Sequence, residues 1–579
     1  MSSKIISMKQ IIESKLNKQR FLEIVNELTK RPYKDQQAAN SFAILHNEKK
    51  IDLIKEFYKL KNNKTFEFFR IRRLLENALP QLQIHDIPNL LITLQKVIVE
   101  AGEDMASHRP LNSFESLLDT DLKFAMKVLD HLWSNEYSVS FLVKTLISIS
   151  KHQLDLAIDN AEKLIASEKV NLVTDTILAL GQINYSSNKL LLDKSIDLIC
   201  SYSQINKDER ITASMIQSLT QISLQLQSSD SRINQKISNI LEHSNYNEMV
   251  VHACVIQILH HTKELNQDLK DLLLSTIPKI KSTSTGTINY LDISLSQLCN
   301  ENYEQTLILL EKLFIATNYE IRLQDFDNLT SYLLQNENNN KLSSLVTRWF
   351  LARKIELNRF AADLLGSHEV EVQFDLTLLT NRFATDYLFL AKKTCGWCFT
   401  NPTTAISLIF SVFKDCPTNQ ENEIAEIIFN PLLISYPSKV SDFLIKNKEL
   451  LSEQKHQYVE NILANLKTYH EALKASNSLK ELAVEQSEYF AYRRYNHQIM
   501  NEAYEQSRKD SIFSSLFAES TLLYGKSTAF IVHTSEGSQR QTMPLHSFSH
   551  TVEFPSLEVL DSTSLHNVLL SFRAEGVIK

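Results

Sequence analysis

Apolar residues between positions 150 and 300 recur at helical spacing, and the same spacing returns thirty-nine residues later. Leu172, Ile177, Leu180 and Ile183 fall on one stripe. Ile211, Ile216, Leu219 and Ile222 repeat it, and Val250, Val255 and Ile258 repeat it again before His261 breaks the match. Steps of five, three and three residues keep such side chains on one face of a helix. A second helix precedes each stripe: LDLAIDNAEKLIAS from Leu154, LLDKSIDLICSYS from Leu191 and RINQKISNILEHS from Arg232. The separators NYSSNK, SQINKDER and QSSDS are polar and turn-like. One helix pair cannot bury its apolar face, so neighbouring pairs must stack to complete a core.

This recurrence resembles the HEAT and armadillo arrays, whose repeats run to about 40–47 residues. The resemblance is one of architecture and covers roughly a quarter of the chain. It implies an all-α fold, an α-solenoid of stacked antiparallel helix pairs, and a role in presenting a long surface to other macromolecules. Elsewhere the pattern stays helical with weaker periodicity. Residues 4–30 and 36–60 read as amphipathic helices, 66–101 as helix interrupted near Pro80 and Pro88, and 102–116 as a loop. Further helices follow from 303 to 515, with loops near 335–341, 366–370, 415–421 and 436–439. Helix 440–468 and a long helix near 477–514 close this part.

After Tyr524–Gly525 the pattern changes. Thr528–Thr534 is rich in β-branched and aromatic residues. From His546, one face carries His546, Phe548, His550, Val552 and Phe554, while Ser547, Ser549, Thr551 and Glu553 take the other. Strict alternation predicts a half-buried strand. The domain reading is therefore a basic helical region over 1–101, HEAT-like repeats over 117–340, further helical repeats over 341–515, and a small β-containing element over 520–579. That last element would cap the array or associate through a strand edge.

Composition narrows the class. Only 8 glycines occur among 579 residues. Hairpin-rich folds and phosphate-cradling loops need many positive-φ positions, so doubly wound and sandwich folds are disfavoured. No apolar run is long enough for a membrane helix. The first twenty residues lack the apolar stretch of a signal peptide. Six cysteines in a chain of this length do not form a disulfide framework, which points to a reducing, cytoplasmic setting. Net charge is −7, yet residues 1–73 carry 17 Lys and Arg against 8 Asp and Glu. Such asymmetry marks an end suited to an acidic partner.

Candidate chemistry is sparse. Cys395-Gly-Trp-Cys398 is the sole CxxC and supplies candidate reactive thiols. Its flanks read as helix, turn and helix, without the strand-containing context of a redox motif, so buried structural thiols are the competing reading. His533, His546, His550 and His566 cluster late, and His368-Glu369 and His470-Glu471 are adjacent pairs, but none has the spacing of a metal set. No HExxH, Walker, GxSxG or GxGxxG pattern is present. No cofactor, metal or small-molecule substrate is implied, and the chain reads as non-enzymatic.

Two basic-aromatic stretches carry the functional expectations. Between 55 and 73, Lys55, Lys59, Lys61, Lys64, Arg70, Arg72 and Arg73 interleave with Phe57, Tyr58, Phe66, Phe68 and Phe69. Cations on phosphates with rings on bases would bind nucleic acid or an acidic protein. In the second stretch, Tyr489, Tyr492, Arg493, Arg494 and Tyr495 occupy two turns of one helix. Tyr and Arg are enriched where proteins dock. The leading expectation is a scaffold or adaptor within a multi-protein assembly. The alternative is a nucleic-acid-associated accessory subunit using the basic N-terminal region. In style (large, helical and motif-poor) the chain resembles accessory subunits of bacterial anti-phage defence systems.

Overall fold

The computed structural model describes residues 3–16, 19–28, 35–62, 67–102, 106, 108–167, 169–185, 188–201, 208–226, 231–366, 369–379, 385–476, 478–479, 485–510, 519–523, 527–534, 537–544 and 553–576. Within them the chain forms 29 α-helices and one three-stranded sheet. It divides into two compact units, Met1–Ile321 and Arg322–Lys579. The sequence pattern had placed boundaries at 101/117, 340/341 and 515/520.

In the first unit an inner layer runs through Asp35–Asn47, Phe68–Ala78, Arg109–Leu118, Phe141–His152, Val170–Gln182, Glu209–Leu226, Glu248–His261 and Thr285–Glu301, each helix packed on the next. Between them, helices such as Leu154–Ile165, Lys189–Ser201, Ser231–His243 and Gln267–Leu274 return along the inner helices as their partners. The result is a stack of antiparallel helix pairs, the α-solenoid architecture. All eleven stripe residues, from Leu172 to Ile258, are buried. Their burial is what the thirty-nine-residue recurrence encodes, since each stripe fills the space between successive pairs.

Two details show how neighbours lock together. A Cβ on Gly181 would stand 2.5 Å from the Ser218 Cα. Glycine therefore lets helix Glu209–Leu226 sit unusually close to helix Val170–Gln182. The Ser218 hydroxyl donates to the Ile177 carbonyl at 2.7 Å, and the Gln225 amide donates to the Gly181 carbonyl at 3.1 Å. On the partner layer an ion-pair ladder joins successive repeats. Lys194 meets Asp159 at 3.1 Å and Glu162 at 2.8 Å, Arg232 meets Asp193 at 3.6 Å, and Lys236 meets Asp197 at 3.1 Å.

In the second unit, helices Asn339–Leu351, Thr385–Cys398, Glu421–Ile427 and Glu453–Ser476 stack, with Ile355–Gly366, Pro402–Asp415 and Pro437–Asn447 between them. Residues 369–379 run across this stack without helix except for one short 3-10 turn. Val372 and Phe374 are buried, and their backbone N–H groups donate to the Ser407 and Ser411 hydroxyls at 3.1 and 3.0 Å. Helix Gln486–Asp510 follows, and then an antiparallel meander of β1 (Glu519–Leu523), β2 (Ser527–Thr534) and β3 (Gly537–Pro544) in the order β1-β2-β3. The chain ends with helices Ser556–Leu560 and Ser562–Ala574.

Several expectations shift in detail. The helix expected over 4–30 is two, Ser3–Leu16 and Phe21–Leu28; that over 36–60 is also two, broken around Lys49, whose φ is 60°. The loop expected at 102–116 is largely helix Arg109–Leu118. Pro110 sits in its first turn, where a missing N–H costs nothing, and Phe114, Leu117 and Leu118 anchor it in the core. Helix 440–468 is instead Pro437–Asn447 and Glu453–Ser476, separated by a 3-10 turn at Lys448–Leu450. The strand expected from Thr528 coincides with β2. The one expected from His546 lies, as far as Val552, outside the described residues, and Glu553–Pro555 is not strand.

Candidate interaction surfaces

The basic N-terminal stretch does not present its seven cations on one face. Arg72 is buried at 1% exposure. Its guanidinium pairs with Glu76 at 2.8 Å, donates to the Ala106 carbonyl at 2.5 Å and lies 5.0 Å from the Phe69 ring centre. A charge buried in this way acts as a core bracket. Arg70 is half-buried, donating to Asn26 at 2.6 Å and pairing with Glu67 at 2.8 Å. Lys59 pairs with Glu56 at 2.6 Å. Lys55, Lys61 and Arg73 are exposed, and Lys64 lies outside the described residues. Phe57 and Phe68 are buried, with Phe57 edge-on to Phe21 at 5.4 Å; Tyr58 and Phe69 remain exposed. Two of the four described rings of the expected stacking platform are thus core, and Phe66 lies outside the described residues. Nearby cations are also engaged: Lys9 pairs with Glu48, Lys15 with Glu27, and Lys50 with Glu13 and Glu48.

A groove of about 370 Å³ opens beside this region, lined among others by His46, Lys49, Lys50, Asp52, His85 and Asp86. Its acids are already committed. Asp52 accepts from the Lys55 N–H at 3.2 Å and Asp86 from the Asn89 N–H at 3.0 Å, each capping a helix. His46 Nδ1 accepts from the Leu53 N–H at 3.2 Å.

The CxxC belongs to helix Thr385–Cys398, at the centre of the second unit. Cys395 and Cys398 are free thiols, both buried. Burial pushes the Cys398 thiol up to about 12 and raises Cys395 further still. A thiol that is buried and held protonated is a poor nucleophile. The intervening residues hold the C-terminal helix. Gly396 leaves room for it, since a Cβ there would meet the Arg573 backbone nitrogen at 3.0 Å. The Arg573 guanidinium donates to the Gly396 carbonyl at 2.5 Å and lies 5.3 Å from the Trp397 ring centre. Lys393, fully buried, donates to the Arg573 carbonyl at 2.5 Å, and Lys392 pairs with Glu575 at 3.0 Å. Burial pulls the Lys393 ammonium down to about 8, with Glu575 opposing the shift and Arg353 adding to it. Further along, Glu553 accepts from the Ser438 and Lys439 N–H groups at 2.7 and 3.0 Å, at the first turn of helix Pro437–Asn447. Sequence reading took 520–579 as a β element and missed this docked helix. Its signal was Asp561, three residues before Ser564, which it caps at 3.1 Å, ahead of an apolar run.

His566 pairs with Glu558 at 3.4 Å; His368, His546 and His550 lie outside the described residues. Among the described residues no three His, Cys, Asp or Glu side chains group as a metal site would. No described helix is long and apolar enough to cross a membrane.

Helix Gln486–Asp510 is of a different kind. All of its residues whose side chains are described are exposed. It spans 25 residues, about 37 Å at 1.5 Å per residue. Tyr489, Tyr492 and Tyr495 are 51%, 59% and 62% exposed, and Phe490, Ile499 and Met500 join them. Arg494 donates to the Phe490 carbonyl at 3.4 Å and Gln498 to Glu502 at 2.9 Å, both within the helix. The structure thus brings the five expected interface residues, Arg493 included, onto one solvated element.

No family model matches the chain, and no curated protein matches it. Among solved structures, one of an engineered protein is 13% identical over 76% of this chain and 98% of its own, with a TM-score of 0.18. That of the Pds5–Scc1 complex, reported with implications for cohesin function, is 15% identical over 83% of this chain and 82% of its own, with a TM-score of 0.22. Superpositions this loose carry no argument about function. The architecture rests on the helix pairs themselves.

Proposed function

We propose that this chain is a non-enzymatic scaffold or adaptor that engages protein partners through helix Gln486–Asp510. The observation that carries the reading is the exposure of every described side chain of that helix, six large apolar ones among them. Burying an exposed aromatic side chain stabilises a complex by about 1.5–3 kcal/mol before ordering costs. Contiguous apolar surface on a folded chain marks an interaction site. Membership of a larger assembly follows from the same reading. The test replaces Tyr489, Tyr492 and Tyr495 with Ser and Arg493 and Arg494 with Gln. The helical spectrum should be retained while proteins captured by the wild-type chain are lost. Capture of the same proteins at the same yield would overturn the reading.

The nucleic-acid alternative has weaker support. Of its six described cations, Lys55, Lys61 and Arg73 stand exposed, while Arg72 is internal and Arg70 and Lys59 are paired. A phosphate-binding surface gains affinity with each neutralised phosphate and loses it steeply with salt. Three separate cations support only a shallow dependence. No described residue speaks for an anti-phage role.

A further inference from the structure

We infer that helix Ser562–Ala574 and the turn after it form a strap, which opens and recloses as one body on helix Thr385–Cys398 while the stack beneath stays folded. The inference goes beyond the docking reading and does not depend on it. The strap puts little into the core. Of its thirteen helical residues, Leu565 and Leu569 are buried, whereas helix Pro402–Asp415 of the same unit buries eleven of fourteen. Leu570 is 57% exposed. Elements with few buried apolar contacts are the ones that open below the global unfolding free energy.

What holds the strap is polar and sits at its two ends. At the base, Glu553 accepts from the Ser438 and Lys439 N–H groups at 2.7 and 3.0 Å. Asp561, with φ −156° and ψ 69°, separates helix Ser556–Leu560 from the strap and supplies the hinge. At the tip, Arg573 is the catch. Its guanidinium donates to the Gly396 carbonyl at 2.5 Å and lies 5.3 Å from the Trp397 ring centre, and its own carbonyl accepts from Lys393 at 2.5 Å. A cation on the last carbonyls of a helix also meets the negative end of its dipole. Lys392 adds its pair with Glu575 at 3.0 Å. Gly576, at φ 64°, turns the chain against Phe389 and Arg353, where a Cβ would stand 3.0 Å from each. Terminal helices ordinarily loosen from the chain end inward. Here the last turn is the best held. Once the catch releases, two leucines are all that is buried between it and the hinge.

Closure also takes cations out of water. Lys393 is fully buried and Arg573 half-buried, and burial pulls both below their ordinary values. Around Lys393, Glu575 favours the charge and Arg353 opposes it. Opening rehydrates both cations, which offsets part of the hydrogen bonding lost. Sparse apolar anchoring, a catch centred on one residue and a hydration gain on release together make a strap poised between closed and open.

The experiment is hydrogen–deuterium exchange of the full chain, read by mass spectrometry in water and in urea below the unfolding transition. Amides of residues 566–574 should exchange about a hundredfold or more faster than those of helix Pro402–Asp415, through an opening that urea barely changes because it exposes little surface. Arg573→Gln should speed exchange across the whole strap about tenfold or more and leave Pro402–Asp415 unchanged. Gly396→Ala reaches the same catch from the other side. Its added carbon would meet the Arg573 nitrogen at 3.0 Å and the Phe572 Cβ at 3.1 Å, so it should open the strap without altering the strap's own sequence. Wild-type protection in the strap equal to that of Pro402–Asp415 would overturn the inference. So would acceleration confined to the last turn, which is fraying, or acceleration of both helices together, which is loss of the whole unit.

Discussion

Replacing Gly181 with Ala tests the stacking of the helix pairs at its tightest point. The added Cβ would stand 2.5 Å from the Ser218 Cα, 2.7 Å from its Cβ and 2.8 Å from its Oγ. The nearest of these atoms is backbone, so no rotamer change clears it. Helix Glu209–Leu226 must retreat by about 1 Å to reach ordinary carbon–carbon contact. Overpacking of this sort costs about 1–3 kcal/mol. Retreat also stretches the Ser218 bond to the Ile177 carbonyl and the Gln225 bond to the Gly181 carbonyl, each contributing about 0.5–1.5 kcal/mol. Against this, Ala is the better helix former by about 1 kcal/mol. The balance is a loss of about 1–5 kcal/mol. Gly286→Ala is the matched control. It lies in helix Thr285–Glu301 with nothing within 4 Å of the added carbon, so only the propensity gain remains. Urea unfolding followed by circular dichroism should show the first variant less stable than wild type and the second equal or more stable. A Gly181→Ala protein as stable as the Gly286→Ala protein would refute the close approach of these two helices.

Three other outcomes follow from the geometry. Arg72→Met should cost about 3–5 kcal/mol by leaving Glu76 and the Ala106 carbonyl without their partner, whereas Arg73→Met on the exposed face should change stability by less than about 0.5 kcal/mol, both read by denaturant unfolding. Cys395 and Cys398 should react with a thiol reagent at neutral pH no faster than the protein opens, and fast labelling of the native chain would contradict their burial. Lys393 gives stability a pH dependence. Its folded-state value of about 8 lies below the unfolded value of 10.5, so between them the unfolded chain holds the extra proton and stability rises with pH. The raised thiols reverse the trend above pH about 9, where the unfolded chain loses their protons first. From pH 8 to 9 the second unit should therefore gain up to about 1 kcal/mol, and Lys393→Met should flatten that slope.

The inner helices were legible because each stripe from Leu172 to Ile258 encodes its own burial, and a period was visible without any knowledge of neighbours. The ladder from Asp193 to Arg232 and from Asp197 to Lys236 has the same thirty-nine-residue offset, and opposite charges at the repeat distance would have revealed it. The basic stretch misled because charge alone does not report burial. Arg72 lies one residue from Ile71 and two from Leu74 on a helix whose core face takes it in, with Glu76 one turn away as its partner. The docked C-terminal helix was hidden for another reason. Its partners, from Lys392 to Trp397, lie about 180 residues away, beyond the reach of any local pattern. The tyrosine-rich helix was legible as an element, but only the structure shows that each of its described side chains is exposed.

The most direct test of the scaffold account is affinity capture of the full chain from its native cells, with and without nuclease, scored by mass spectrometry. The account predicts one set of co-purifying proteins, unchanged by nuclease and lost when Tyr489, Tyr492 and Tyr495 become Ser. Loss of those proteins on nuclease treatment, with their retention in the tyrosine variant, would contradict it and move the function to the basic end of the chain.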